Sequence, residues 1–337
     1  MAKMNLEKKA REFVLGEAKA VDRMCPTLRS VGRNLTALYL EGKLDEVYNR
    51  ENTIKDIQKI LLRKSKANVL LTGPAGCGKT AIAERLAAVL VGRFIEQAKK
   101  EIEAKAAYNK EYKAWQKRYR QADENNENFN EPRPEMEEVP KGLLSNVVLY
   151  EVSLTSLVSG TKYRGDMEER VQNLLNECKS NPNLVLFIDE IHQIVKCGSA
   201  EGSEGAAQML KPALARKDIC VIGATTTDEA EFIRKDKALA RRFNEIKVAP
   251  LSGSCAVQTA ENIMADYAKH HGIVSSPAWA ESIVAKLNAF LPHTVFPDNF
   301  INVVDETMAG AKFDGLTEVD MTHYNATLSR MAGVIIL

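Results

Sequence analysis

Short unbroken apolar runs and longer stretches of helical spacing alternate along the chain. Apolar runs of five or so residues are typical of strands buried on both faces of a parallel sheet. They predict strands near residues 68–72, 146–152, 184–188, 219–223 and 244–248. Helix-forming stretches separate these runs, and that alternation predicts an α/β domain built on a parallel sheet.

The two ends of the chain have helical patterns only. Residues 1–34 are expected to form a helical lead-in, and residues 35–250 the large α/β domain. Residues 257–270 and 278–290 have the spacing of amphipathic helices. Residues 251–337 are therefore predicted to form a small helical lid domain.

The first candidate site follows the run at 68–72. It has the spacing G-x-x-x-x-G-K-T between a predicted strand and a predicted helix, which is typical of a phosphate-binding loop. Its residues are Gly73, Pro74, Ala75, Gly76, Cys77, Gly78, Lys79 and Thr80. Glycines let successive backbone N–H groups face a phosphate. Lys79 is expected to reach the β- and γ-phosphates of ATP, and the Thr80 hydroxyl to ligate Mg²⁺.

Two acids follow the run at 184–188. Carboxylates at the end of a buried strand are either solvated or hold a ligand. With a phosphate loop upstream, Asp189 is expected to hold Mg²⁺, directly or through water. Glu190 is expected to act as the general base that activates the attacking water.

Two further positions suit phosphoryl transfer. The run at 219–223 leads into threonines, and the Thr226 hydroxyl at this strand tip could sense the γ-phosphate. Arg241 and Arg242 follow a predicted helix. Paired arginines either form a solvated face or act as an arginine finger on a transferring phosphoryl group.

These motifs, in this order, resemble the first ATPase module of the Clp-type AAA+ unfoldases and disaggregases. The resemblance covers about residues 35–333, and the stretches that carry it are 41–51, 160–170, 209–216, 223–226 and 296–306. It implies a P-loop AAA+ ATPase domain with a helical lid, ATP and Mg²⁺ as cofactors, and polypeptide substrates. A single module is expected, because the chain stops where a second one would begin.

The resemblance also implies roles for individual residues. Tyr163, flanked by Lys162 and Arg164, corresponds to the aromatic pore loop that grips substrate in a ring. Thr226 corresponds to the nucleotide sensor. Arg241 and Arg242 would act in trans on the neighbouring subunit's ATP, which implies a homo-hexamer. One departure lies in the lid, where Asn299 replaces the family's usual lysine and puts the coupling of lid to nucleotide in question.

The composition limits the classes of partner that the chain is expected to bind and the cellular compartment in which it is expected. The net charge of +1 over 337 residues argues against nucleic acid and anionic membrane as partners. No apolar stretch is long enough to span a membrane. The six cysteines include no Cys-x-x-Cys pair, so reduced thiols in the cytoplasm are expected.

An insertion at residues 93–138 interrupts the resemblance. Residues 94–121 predict a helix that carries an aromatic stripe on one face, followed by an acidic, flexible tract at 123–138. The stripe could pack on the chain itself or a neighbouring subunit, dock a protein partner, or stack on nucleic acid.

The leading function from the sequence is an ATP-dependent unfoldase that threads polypeptide through a hexameric ring. Two alternatives remain open at this stage. One is a regulator that co-assembles with a two-module Clp ATPase, and the other is a nucleic-acid-associated AAA+ ATPase.

Overall fold

The computed structural model describes residues 2–64, 67–125, 128–158, 164–196, 209–210, 212–214 and 219–336. The chain forms two compact units. The first consists of Met1–Asp45 and Leu86–Leu186, and the second of Glu46–Arg85 and Phe187–Leu337. Within the described ranges, no helix has the length and apolar character needed to cross a membrane. The domain boundaries expected from the sequence at 34/35 and 250/251 stay predictions.

The described strands, in chain order, are β1 Gly32–Asn34, β2 Asn68–Thr72, β3 Val148–Val152, β4 Leu184–Ile188, β5 Cys220–Thr225 and β6 Phe243–Lys247. The helices of the amino-terminal half are α1 Ala2–Met24, α2 Pro26–Val31, α3 Leu35–Leu40, α4 Glu51–Leu61 and α5 Lys79–Glu124. Those of the carboxyl-terminal half are α6 Leu154–Val158, α7 Arg164–Ser180, α8 Gln193–Lys196, α9 Ala230–Lys235, α10 Lys237–Ala240, α11 Gly253–His271, α12 Trp279–Phe290, α13 Asp298–Phe313 and α14 Met321–Ala332.

In the first unit, α1 packs against the middle of α5. Ala10 and Val14 of α1 are buried with Val91, Phe94 and Ile95 of α5. The lead-in was expected to be helical as far as residue 34, but its last three residues form β1, which pairs antiparallel with β3. A strand this short is stabilised by its partner and not by its own sequence pattern.

Helix α5 is a single element of 46 residues, about 69 Å long at 1.5 Å per residue. The sequence pattern predicts two helices, at 81–91 and 94–121. The exposed Gly92 lies between them, and nothing lies within 4 Å of a Cβ atom built there. One glycine costs a helix only about 1 kcal/mol, so the helix continues through it.

In the second unit the strand order is β4-β5-β2-β6, with β4 entering from the first unit after Leu186. Strand β2 is parallel to both of its neighbours, pairing Leu71 with Ala224 and with Ile246. Every residue of β2 is buried. The predicted parallel sheet and α/β class are confirmed.

The last four helices, α11 to α14, share an apolar core. Phe300, Val303, Val304, Tyr324 and Leu328 are all fully buried in it. Two of the helices match the amphipathic stretches at 257–270 and 278–290 closely. The predicted helical character of this segment is therefore observed.

Candidate nucleotide-binding site

The phosphate loop is fixed by backbone contacts at its first glycine. The Gly73 N–H donates to the Thr225 carbonyl at 3.4 Å, and the neighbouring Thr72 carbonyl accepts from Val248 N–H at 2.7 Å. A Cβ atom on Gly73 would lie 2.3 Å from the Val248 carbonyl oxygen. No other residue type fits here unless the loop or the backbone at Val248 moves.

The middle of the loop needs glycine for a different reason. Gly76 has φ of +77°, in the left-handed region that side chains rarely adopt. A Cβ atom there would also lie 2.8 Å from the Cβ atom of Asp298, the first residue of α13. The loop and the last helices thus meet at this position.

Lys79 lies at the amino terminus of α5 with its ammonium group over the loop. Its Nζ donates to the carbonyls of Gly73 at 2.9 Å and Pro74 at 2.8 Å. The positive end of a long helix and a lysine together favour a bound anion. Cys77 is fully buried beneath this group, and burial raises the pKa of its thiol.

Thr80 and Asp189, which are both expected to hold Mg²⁺, are in direct contact. The Thr80 hydroxyl donates to Asp189 Oδ2 at 2.7 Å, and Asp189 Oδ1 accepts from the Glu190 N–H at 2.9 Å. A hydroxyl and a carboxylate so placed are the hard oxygen ligands that Mg²⁺ prefers. These residues therefore fit the magnesium ion that the sequence predicts.

Glu190 has an unusual backbone conformation. Its φ is +48°, which is uncommon outside glycine and asparagine and clusters at functional sites. Its Oε2 accepts a hydrogen bond of 2.6 Å from the Gln193 amide. The general-base candidate is thus held by a neighbour on its own chain.

A buried histidine links the two neighbouring strand ends. His192 is 4% exposed, its Nδ1 lies 2.9 Å from Thr225 Oγ1, and its Nε2 lies 3.2 Å from Glu229 Oε1. Glu229 Oε2 in turn accepts from the Thr226 hydroxyl at 2.9 Å. The network fixes the candidate sensor Thr226 relative to the strand that carries Asp189.

These groups line one cleft of about 340 Å³. The second half of the phosphate loop lines it, together with Asp189, Glu190, Thr226 and Glu229. The helical segment contributes Pro297, Asp298 and Ile301. The candidate loop, acids and sensor are therefore brought together, with an unexpected carboxylate from Asp298.

Three consecutive residues tie the loop to helix α11. Arg50 is 8% exposed and donates to the carbonyls of Cys77 at 2.6 Å and Ala249 at 2.9 Å. Asn49 donates to Thr259 Oγ1 at 2.8 Å, and the Tyr48 hydroxyl donates to Asp266 at 2.9 Å. Burial lowers the pKa of Arg50 and, together with Asp266, raises that of Tyr48 to about 12.

Comparisons with known proteins give the family. A family model described as an ATPase domain predominantly from Archaea matches residues 47–282. The chain is 36% identical over 298 residues to the chaperone protein ClpB of Helicobacter hepaticus. It is 35% identical over 286 residues to ClpL, an ATP-binding subunit of the Clp protease, of Staphylococcus aureus. The chain belongs to the Clp-type AAA+ ATPases.

Solved structures agree with this assignment. Hsp104 in its closed state with ATPγS and casein matches with a TM-score of 0.70 and 30% identity, over 91% of this chain and 45% of that one. The ADP complex of Hsp104 from S. cerevisiae matches equally well at 29% identity, over 91% of this chain and 46% of that one.

The matches cover only part of each relative. They take in 88% of this chain and 29% of ClpB, and 84% of this chain and 34% of ClpL. This Clp-type ATPase thus spans about a third of the length of the curated relatives that it matches. Within that span it is an ATPase domain with a nucleotide site.

Not every predicted site residue of this Clp-type ATPase reaches the cleft. Arg241 is exposed and Arg242 half-buried at the start of β6, and neither is among the described residues that line it. Lys162 and Tyr163 lie outside the described residues, as does the side chain of Arg164.

Asn299, where the chain departs from the family pattern, belongs to the interior of the helical segment. It is 6% exposed, and its amide donates to Thr294 Oγ1 at 3.0 Å. Its neighbour Asp298 is the residue that reaches the phosphate loop. In this Clp-type ATPase the described residues of this segment that line the cleft are Pro297, Asp298 and Ile301, and Asn299 is not among them.

Sequence reasoning missed four residues of this site. Arg50 lies inside a stretch that matches the family, but it had no assigned role. Asp298 begins a helix and follows a proline. His192 lies three positions after Asp189, and Glu229 lies three positions after Thr226. Spacing of three after a strand-end residue is the signal that could have indicated the last two.

Proposed function

We propose that this ATPase couples ATP hydrolysis to the remodelling of other proteins, working as a ring that threads polypeptide. The observation that carries the ATPase part is the contact between Thr80 and Asp189 beside Glu190 in one cleft. The remodelling part is supported by its relatives, which include a ClpB chaperone and an Hsp104 solved with casein.

The proposed chemistry assigns one task to each group of the cleft. Lys79 and the loop N–H groups hold the phosphates of ATP, and Thr80 and Asp189 hold Mg²⁺. The ion, when bound, neutralises charge on the phosphates. Glu190 takes the proton from the attacking water, and its Oε2 accepts the hydrogen bond from Gln193 that orients the carboxylate. Thr226, positioned by Glu229, contacts the γ-phosphate.

The arginine fingers are proposed to act between subunits. Arg241 and Arg242 lie outside the lining of their own cleft, as far as the structure describes it, which supports a role on a neighbour's ATP. A site that needs a second subunit for completion implies a closed ring, for which we propose the homo-hexamer.

Substrate contact is assigned to Tyr163 with Lys162 and Arg164. An aromatic ring grips a polypeptide by contact area and so tolerates many sequences. Cytoplasmic localisation remains part of the proposal and rests on the cysteines that the structure describes, which are free thiols and of which Cys25, Cys77 and Cys178 are buried.

The test is the steady-state ATPase rate of the purified chain in three conditions. It is measured alone, with an unfolded model protein, and with single-stranded DNA. Stimulation by the protein and not by DNA supports remodelling. Stimulation by DNA alone overturns it in favour of a nucleic-acid ATPase. Absence of turnover in all three favours a regulator that needs a two-module Clp partner.

A second comparison tests the roles between subunits. Arg241→Ala combined with Arg242→Ala is mixed with Glu190→Gln, which supplies intact arginines but lacks the general base. Each variant alone should be inactive. Mixed rings should recover part of the activity, because some clefts then combine Glu190 with intact arginines. Failure to recover any activity contradicts action in trans.

A further inference from the structure

The far part of α5 carries an ordered aromatic ladder, defined as Tyr108, Tyr112, Trp115 and Tyr119. Successive rings lie 5.8, 5.9 and 5.5 Å apart between centroids, with interplanar angles of 17°, 15° and 20°. Side chains three and four positions apart share a helix face, so the rings form one continuous stacked surface.

The chain lays one of its own segments across this ladder. Residues 128–134, called the strap below, have no helix or strand. The Phe129 ring lies edge-on to Trp115 at 5.7 Å and to Tyr119 at 5.4 Å. The Arg133 guanidinium lies 4.9 Å from the centre of the Tyr112 ring, a cation–π contact.

Between these two residues, Glu131 makes polar contacts. Its carboxylate accepts from Arg118 Nε at 2.9 Å and pairs with Arg118 Nη2 at 2.8 Å. Its backbone carbonyl accepts from the Trp115 indole N–H at 3.2 Å. The indole N–H therefore binds the strap's backbone, while the face of the indole ring stacks in the ladder.

The strap residues whose side chains contact α5 are Phe129, Glu131 and Arg133, which are every second residue. This spacing is typical of an extended chain. In an extended segment, side chains two apart point to the same side. The intervening prolines, Pro132 and Pro134, fix φ and restrict Glu131 and Arg133 before them to extended conformations. Docking of an extended, proline-containing segment on stacked aromatic rings is a known mode of peptide recognition.

The described contacts of the strap all involve at least one side chain. No backbone–backbone hydrogen bond to residues 128–139 occurs in the parts that the structure describes. The ion pair between Glu131 and Arg118 is about half exposed on both sides, and such pairs contribute little. The side chain of Tyr119 is 48% exposed despite its contact with Phe129.

We infer that the ladder is a binding surface for an extended peptide of another protein, and that the strap occupies it as a built-in pseudo-ligand. The strap defines the chemistry of the partner: an aromatic residue, an acid two positions later, and an arginine four positions later, with prolines interleaved. The basic side chain of Arg118, three positions after Trp115 on the same helix, complements the acid.

The experiment uses the full chain and a labelled synthetic peptide with the sequence of residues 128–136. A tethered strap competes at an effective concentration in the millimolar range, so the unaltered chain should bind the peptide weakly. The variant F129A/R133A should bind it at least tenfold more tightly, because its own strap competes poorly. Adding Trp115→Ala should abolish binding, and a peptide with alanine at its Phe and Arg positions should not bind.

Circular dichroism and thermal unfolding verify that the variants fold. If F129A/R133A is unfolded, R133A alone removes one contact and should still show tighter binding than the unaltered chain. Absence of saturable binding to a folded strap variant overturns the inference. Two other results also overturn it: single-stranded DNA that binds the strap variant as tightly as the peptide, and strap exchange between copies, seen as a concentration-dependent dimer. The titration needs no nucleotide, so its outcome is independent of the proposed ATPase cycle.

Discussion

The Thr80 hydroxyl donates a hydrogen bond of 2.7 Å to the Asp189 carboxylate, 109 residues further along the chain. This contact joins the phosphate loop to the strand that carries both acids. The two oxygens that would share Mg²⁺ are therefore already adjacent, and little reorganisation is needed when the ion binds with ATP.

Removal of the Thr80 hydroxyl should weaken binding of ATP with Mg²⁺ and affect binding without Mg²⁺ much less. We expect Thr80→Ala to raise the Kd of the magnesium complex at least tenfold, about 1.4 kcal/mol. Titration of a fluorescent ATP analogue with and without Mg²⁺ measures the difference. Thr80→Ser keeps the hydroxyl and should restore affinity. An equal loss in both conditions would show that the role is structural.

Replacement of Glu190 by glutamine should separate binding from turnover. The amide keeps the size of the side chain but cannot accept a proton, so turnover should fall by about 10² to 10⁴ while ATP binding is retained. Single-turnover hydrolysis measures the rate, and Glu231→Gln is the matched control. Glu231 pairs with Arg234 on the surface, outside the cleft lining, and its loss should leave the rate unchanged. Retained hydrolysis in Glu190→Gln refutes its role as base.

The histidine bridge should contribute to stability as well as to the site. His192→Ala removes the contacts with Thr225 and Glu229 inside the protein, and loss of partners for buried polar groups costs about 1–3 kcal/mol. Urea unfolding measures this change. His192→Gln can still bond one of the two groups and should lose less stability than His192→Ala. An unchanged urea midpoint in both variants would show that the contacts of His192 contribute nothing to the stability of the protein.

Alanine at Gly73 should be far more harmful than alanine at a helical glycine. The new Cβ atom would lie 2.3 Å from a backbone carbonyl, so the loop or β6 must move, and both ATP affinity and stability should fall. Gly92→Ala and Gly16→Ala are matched controls, because nothing lies within 4 Å of a Cβ atom at either site. Both lie in helices and should stabilise the protein by about 0.5–1 kcal/mol. Thermal unfolding and ATP titration compare the three variants, and similar results for all would contradict the steric argument.

Glu245 should make folding sensitive to acid. Hydrogen bonds from Arg234, and to a lesser degree from Thr72, hold the pKa of this half-buried carboxyl below its usual value. A lowered folded-state pKa gives stability that is present above the unfolded value of about 4.3 and lost as the pH falls below it. Glu245→Gln should therefore cost about 0.5–1 kcal/mol at pH 7, and progressively less as the pH falls below about 4.3. Chemical unfolding at a series of pH values measures the gap, and a gap independent of pH would exclude this origin.

The fold was predictable where the sequence itself determines the element. Strands β2 and β4 are unbroken apolar runs, and their bounds match the predicted ones. The strand β1 could not be found, because Gly-Arg-Asn carries no apolar pattern and depends on pairing with β3. The continuity of α5 was missed because Gly92 is a common break signal, whereas the packing of Val91 and Phe94 on α1 holds both sides together.

The site residues also divide into those that local sequence determines and those that depend on distant contacts. Lys79, Thr80, Asp189 and Glu190 are set by local motifs and were predicted. The bridge from His192 to Glu229 and the ties of Arg50 join segments that are distant in the chain, so their pairing cannot be predicted from local sequence, although the spacing of His192 and Glu229 marks them as candidates. The strap is a similar case. Its alternation of Phe129, Glu131 and Arg133 has meaning only beside the ladder that it contacts.

The close packing around Gly73 determines which substitutions the start of the phosphate loop can accept. The space beside Gly73 is closed by the carbonyl of Val248, a main-chain group that every amino acid possesses, and not by the valine side chain. Exchange of the valine for another apolar residue of similar volume leaves that oxygen in place, whereas any side chain at position 73 would meet it. The start of the nucleotide site is therefore insensitive to the side chain at position 248 and depends on the absence of one at position 73.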